Sequence, residues 1–274
     1  NTDDYDHVVI DVKISLEYNE EKYLSIFKER IISKTSLFIS YDGPFNFHKV
    51  KNFERYLDIQ SYFIPNLLTD IDHYNLPIHL KDKIFSTYYG LGFLEISYDN
   101  DTKKFLYFQN EKNYEYDLFY SGVKTENRPE RTLVINHLIS EQTFYKKKII
   151  FYDQNNVNNL KLSSQDYIKH TIKSKINLVL SGNFNNIAYR FYEVLFFKRF
   201  FLIDKNFLRY EVSRNFNDVY KFVFHSNYDL SNKIKYFIKN QNEMEEIRKN
   251  QTKAFKKFYD PNKHGEKILN IISR

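Results

Sequence analysis

The sequence contains no cysteine and no tryptophan, and its one methionine is Met244. Without thiols there can be no disulfide framework and no thiolate metal site, which fits a reducing compartment. Glycine and proline are scarce, at 6 and 5 of 274 residues, so collagen-like and linker-rich disordered chains are excluded. No run of 18 apolar residues occurs, and no membrane-spanning helix or secretory segment is expected. Neither a G-x-G-x-x-G fingerprint nor a Walker loop is found. The 8 histidines never take the H-E-x-x-H spacing, so no zinc site is expected. No nucleophile elbow marks a catalytic serine. The chain opens on a strand pattern, NTDDYDHVVIDV, without an initiator methionine, and residues upstream are expected to complete its first domain.

What is abundant is aromatic: 24 Tyr and 26 Phe, 18% of the chain with no Trp. A chain of 274 residues can bury a sizeable core as one large domain or two ordinary ones. The formal charge of +6 favours an anionic partner such as nucleic acid, nucleotide or acidic lipid, although a lysine-rich solvated surface accounts for it equally simply.

Strand-length apolar runs alternate with helical patterns. Strands are expected at 7–14, 35–41 and 56–64, with a helix at 19–33 and a loop from 65 to 77. The polar run SYDNDTKK (97–104) reads as a turn or linker before a strand at 104–110. The pattern then becomes regular: strands at 116–121, 147–153, 176–182 and 199–204, helices at 129–140, 163–174 and 187–197. A strand at 220–226 and helices at 229–240, 242–258 and 262–273 complete the chain. Near-continuously apolar strands separated by single helices indicate parallel sheets covered on both faces. The expectation is an α/β chain with two Rossmann-like domains facing a cleft: 1–110, 111–258, and a last helix, 259–274, crossing back to the first domain.

In such sheets ligands bind outside the carboxyl ends of the strands, which selects four loops. After 35–41 comes Asp42-Gly43-Pro44; the carboxylate can act as a general base or can simply start a turn. After 116–121, Ser121-Gly122 allows a tight turn, and Lys124, Arg128 and Arg131 surround the next helix start. Cations there oppose the helix dipole unless an anion lies between them. After 147–153 come Tyr152 and Asp153, and after 176–182 comes Gly182 in an Asn-rich loop. The next helix, AYRFYEVLFF, carries Arg190 and Glu193 three apart near its start. That spacing usually means a surface ion pair worth a few tenths of a kcal/mol. Here Phe191, Val194 and Leu195 surround it, and an Arg can clamp a diphosphate while a Glu accepts both ribose hydroxyls.

The stretches YDLFYSG to Arg128, SKINLVLSGN, YRFYEVLFFKRFFLID and the helices of 228–259 resemble the carboxyl-terminal domain of GT-B glycosyltransferases. Within that superfamily the order is similar to the DNA β-glucosyltransferases of T-even bacteriophages. The likeness covers most of 116–259 and, more thinly, 3–45. It implies a transferase moving a sugar from a nucleotide diphosphate, a UDP-sugar first, to an acceptor hydroxyl by inverting single displacement. Arg190 would contact the diphosphate and Glu193 the ribose; Gly122, Lys124, Arg128 and Gly182 would line the phosphate region. Lys124 stands where those enzymes carry an arginine. Tyr152, Asp153, Lys161 and Leu162 would flank the base, and Asp42 would be the catalytic base. No metal is obligatory on this reading. The implied acceptor is a hydroxymethylated base in double-stranded phage DNA, which would place the enzyme in a cytoplasm, the host's if viral. The alternatives are a transferase acting on cell-surface polysaccharide, glycolipid or protein, and a non-catalytic nucleotide-sugar or nucleic-acid binding module.

Overall fold

The computed structural model describes residues 7–11, 34–38, 59–65, 69, 78–87, 98–99, 104–105, 113–124, 128–153, 162–182, 187–258 and 261–273. The chain forms two compact units. Unit 1 comprises Asn1–Tyr89, Arg209–Ser213 and Phe258–Arg274; unit 2 comprises Gly90–Leu208 and Arg214–Lys257.

Unit 1 holds a parallel sheet of β1 (His7–Asp11), β2 (Lys34–Phe38), β3 (Ile59–Pro65) and β4 (Ile84–Thr87), in chain order. The short α1 (Ile78–Lys81) precedes β4. Neither was expected, because a four-residue strand and a single helical turn carry too little periodicity to read. Leu37, Ile59, Tyr62, Phe63, Ile64 and Ile84 are buried. A polar thread crosses the sheet: His7 Nε2 lies 2.8 Å from Ser36 Oγ, which lies 2.5 Å from Ser61 Oγ. Two buried serines need such partners, since an unsatisfied hydroxyl costs about 1–3 kcal/mol. The segment Arg209–Ser213 is tied in by Thr69, whose N–H donates to Arg209 O at 2.9 Å. The final helix, α8 (Pro261–Ile272), packs on β3.

Unit 2 is built on β7 (Tyr116–Lys124), β8 (Lys147–Asp153), β9 (Ser174–Val179), β10 (Phe201–Asp204) and β11 (Val223–Phe224), parallel in the order β11-β10-β9-β7-β8. A small antiparallel ladder, β5 (Tyr98–Asp99) with β6 (Lys104–Phe105), precedes it. Within the polar run 97–104, Tyr98 and Asp99 thus pair with Phe105 and Lys104, and the described part of the expected strand 104–110 is two residues long.

Local chemistry sets the helices. α2 (Pro129–Ser140) begins with proline at its first position, where the missing N–H costs nothing. α3 (Ser164–Ile172) is capped by Ser163, whose Oγ accepts from Asp166 N at 3.1 Å. α4 (Arg190–Phe196) is short and apolar. α6 (Asn227–Lys239) has a reciprocal cap: Ser226 Oγ accepts from Asp229 N, and Asp229 accepts from His225 N. α7 (Gln241–Phe258) follows. α2 and α6 pack together, and His137 of α2 lies 3.0 Å from Ser231 of α6. α3 and α4 share the other cluster, with Ile168, Ile172 and Phe197 in contact.

The strand expected at 220–226 is corrected. Asp218 takes a left-handed backbone (φ 55°) and starts a single helical turn, α5 (Val219–Phe222), leaving only Val223 and Phe224 to pair with β10. Phe222 thereby enters an aromatic cluster with Phe191, Phe201, Phe207 and Phe216, all buried, with ring centroids 5.0–6.4 Å apart.

Phe191→Ala should lower the unfolding free energy by about 3–5 kcal/mol, whereas truncating the exposed Leu133 should change it by less than about 0.5 kcal/mol. Urea unfolding of the two variants checks this.

Candidate functional site

The chain leaves β7 toward β8 on one side and returns through α3 to β9 on the other. Adjacent connections therefore diverge between β7 and β9, and a crevice opens at the carboxyl ends of these two strands.

The strand β7 runs on to Lys124, pairing Gly122 with Phe151, Val123 with Tyr152 and Lys124 with Asp153. The tight turn expected at Ser121-Gly122 is thus not there, because the β8 ladder carries both residues in extended form. Gly122 has another use. It lies two residues after Tyr120, on the same face of the strand, and a Cβ there would come within 2.7 Å of Tyr120 Cζ. Only glycine lets the buried Tyr120 ring fold along its own strand.

That ring receives Arg190. The Arg190 guanidinium carbon lies 5.1 Å from the Tyr120 centroid and 5.3 Å from that of Tyr167 on α3. Arg190 Nε donates to Tyr167 Oη at 3.1 Å, and Tyr167 Oη donates to Glu193 Oε2 at 2.7 Å. The expected pair is thus linked through a third residue. Burial raises the Glu193 carboxyl above its usual range, and the Tyr167 hydrogen bond and Arg190 only partly offset this. Burial also raises the Tyr167 phenol. Burial opposes the Arg190 charge, but Tyr167, Tyr120 and Glu193 outweigh it and hold the guanidinium above its ordinary value.

At the carboxyl ends of β9 and β10, beside the start of α2, lies a cavity of about 470 Å³, within the range of small-molecule sites. Arg128, Arg131, Lys205 and His225 bring basic groups to it; Leu133, Val134, Leu180 and Phe224 bring apolar surface. Two helices begin at its wall, α2 at Arg128 and α6 at Ser226-Asn227. Arg128, as the residue capping α2, has no side-chain acceptor for the first N–H groups. Arg131 donates to Ser181 O, and its buried Nε has no hydrogen-bond partner among the described residues. Burial, with Arg128 and Arg190 nearby, pulls the Arg131 guanidinium down to about 10, so it stays charged at neutral pH. Asp204, at the end of β10, accepts from Ser181 N at 2.5 Å, Ser181 Oγ at 2.6 Å and Asn206 N at 3.0 Å. Its carboxylate fixes Ser181, which lines the cavity together with Gly182.

Of the expected site residues, Arg128 and Gly182 line this cavity. Gly122 lies in β7 beside Tyr120. Arg190 and Glu193 are not part of the lining but lie with Tyr167, Arg190 close enough to Arg131 to act on its charge. Lys124 is exposed at the end of β7. Tyr152 is half-buried in β8, Asp153 ends that strand, and Leu162 is half-buried just before the α3 cap. Asp42 and Lys161 lie outside the described residues. Among the described residues no group of acidic and histidine side chains could hold a metal ion, and no helix is long and apolar enough to cross a membrane. Sequence reasoning missed Tyr120, Tyr167, Ser181, Asp204 and His225. The available signals were Tyr120 two residues before a glycine, and Asp204 and His225 at strand ends.

No protein-family model matches the chain, and no curated protein sequence matches it. Solved structures do. The DNA-modifying enzyme β-glucosyltransferase, studied with and without uridine diphosphoglucose, superposes with a TM-score of 0.58 at 15% identity, covering 100% of this chain and 83% of its own. T4 phage BGT in complex with UDP-glucose gives 0.56 at 14%, covering 100% and 84%. Anabaena HepE in complex with UDP and glucose gives 0.62 at 11%, covering 98% and 78%. At such identities the likeness is one of fold, and the fold is the GT-B type with two Rossmann-like units.

Gly122→Ala should cost about 1–3 kcal/mol through displacement of Tyr120. Gly265→Ala, in the interior of α8 with nothing within 4 Å of the new methyl, should stabilise by about 1 kcal/mol. Comparing the two denaturation midpoints checks the crowding assigned to Gly122.

Proposed function

We propose that this chain is a nucleotide-sugar-dependent glycosyltransferase whose donor is a UDP-sugar. The observation that carries the reading is a cavity lined by Arg128 and Arg131, with Arg190, linked through Tyr167 to Glu193, close enough to Arg131 to act on its charge. Arg128 and Arg131 adjoin a helix start, an arrangement that is unfavourable until an anion enters. The UDP and UDP-glucose complexes of T4 phage BGT and HepE support this choice of donor.

On this reading the three arginines and the first N–H groups of α2 stabilise negative charge as it develops on the leaving diphosphate. Arg190 contributes its two terminal nitrogens, because Nε is committed to Tyr167. Glu193 accepts from the ribose hydroxyls. Leu162, with Tyr152 and Asp153, flanks the base, and Gly122, Lys124 and Gly182 line the phosphate region. Asp42 removes the proton from the acceptor hydroxyl as that oxygen attacks the sugar, giving a single displacement with inversion. The acceptor is a hydroxymethylated base in duplex DNA; the net charge of +6 and the fold shared with a DNA-modifying enzyme support this. An enzyme reaching such a base would track the phosphates with Lys and Arg and extrude its target.

In a thermal-shift panel of UDP, GDP, ADP and CMP, UDP should raise the midpoint most. A ligand at 100 times its dissociation constant adds about 2.7 kcal/mol of stability. Glu193→Ala should weaken UDP binding by about 1.5–3 kcal/mol. A panel without any shift would remove the nucleotide-sugar reading. For the acceptor, the logarithm of the duplex DNA binding constant should fall linearly with the logarithm of salt concentration. Salt-independent or absent binding would point to another acceptor class.

A further inference from the structure

No motif marks Tyr167, yet its hydroxyl joins the two groups assigned to the donor. Arginine has no acceptor, so at the 3.1 Å contact with Arg190 Nε the Tyr167 oxygen accepts. Its single proton is then directed to Glu193 Oε2 at 2.7 Å. This leaves Glu193 Oε1 for a sugar hydroxyl and the Arg190 terminal nitrogens for a phosphate. The phenol is held from behind. Its ring packs against the cluster of Ile168, Ile172 and Phe197, and its centroid lies 5.9 Å from that of Phe119. α3 itself is anchored by the Ser163 cap.

We infer that Tyr167 is a positioning residue for a ribonucleoside diphosphate, holding Glu193 toward the ribose and Arg190 toward the phosphate through one hydroxyl. The inference rests on the reading that Arg190 and Glu193 bind the donor. Its physical content is that Tyr167 keeps a half-buried carboxylate ionised and aimed. The ionisable groups facing Glu193 are Tyr167 on α3 and Arg190 on its own helix, with Tyr120 of β7 on the far side of the guanidinium. Burial raises the Glu193 carboxyl, and the Tyr167 hydrogen bond works against that rise. Removing the hydroxyl should let it rise further. The carboxylate, which accepts the ribose hydroxyls, would then be lost at a higher pH than in the parent protein.

The test is calorimetric titration of UDP and 2′-deoxy-UDP into the parent chain, Tyr167→Phe, Glu193→Gln and the double variant, from mildly acidic to mildly basic pH. Phenylalanine keeps the ring and its packing. The expected result for Tyr167→Phe is UDP binding weakened about tenfold at neutral pH, the loss of one charge-assisted hydrogen bond. The acidic fall in UDP affinity should move to higher pH, and the preference for UDP over the deoxy compound should shrink. In the Glu193→Gln background Tyr167→Phe should shift no pH profile. Unchanged UDP affinity in Tyr167→Phe would overturn the inference. So would a loss uniform in pH with an intact ribose preference, which would make Tyr167 merely structural. A parent chain that binds neither nucleotide would instead remove the donor reading itself, and this inference with it.

Discussion

The burial of Phe191 is the constraint on which the site depends. α4 has seven residues, too few to be helical alone in water. It forms because Phe191, Tyr192, Val194 and Leu195 are all buried, and Phe191 is locked among Phe201, Phe207 and Phe216. With Phe191 committed to the sheet, the residue before it in the chain has one direction left. Arg190 is turned to the crevice, and Glu193 follows one helical turn later. The chemistry of the site is set by the packing of a ring that takes no part in it.

The electrostatics of the crevice are asymmetric. Arg128 and Arg190 both lie near Arg131, and burial and like charge already pull Arg131 down. Asp204 and Glu193 do not neutralise them freely. Asp204 is engaged by Ser181 and Asn206, and Glu193 by Tyr167. Tyrosine rings, which offer a polarisable face without a full negative charge, hold Arg190 instead. Positive charge kept in place without being cancelled is the state that a bound diphosphate would complete.

Much of unit 2 was legible because local signals and tertiary context agree there. Pro129 starts α2, and the apolar run 147–153 is β8. Position drew attention to Arg128, Gly182, Arg190 and Glu193, because ligands in such sheets gather at strand carboxyl ends, and the family resemblance supplied the roles expected of them. Reading failed where a local pattern was overruled from afar. YKFVFHS has a strand's composition, but Asp218 bends the chain into a turn that sends Phe222 to the aromatic cluster. Gly122 looked like a turn glycine because turns are the common need for one. Its actual neighbour is the ring of Tyr120.

From the sequence alone came the α/β alternation, the parallel sheets, the helix starts and the list of charged residues at strand ends. These follow from periodicity and capping, which act over a few residues. Tertiary structure alone decided how those residues meet. Tyr167 is 23 residues from Arg190 and 26 from Glu193, and Asp204 is 23 from Ser181. Which strands become neighbours determines which side chains share a crevice, and that choice is made by burying apolar faces across the whole unit.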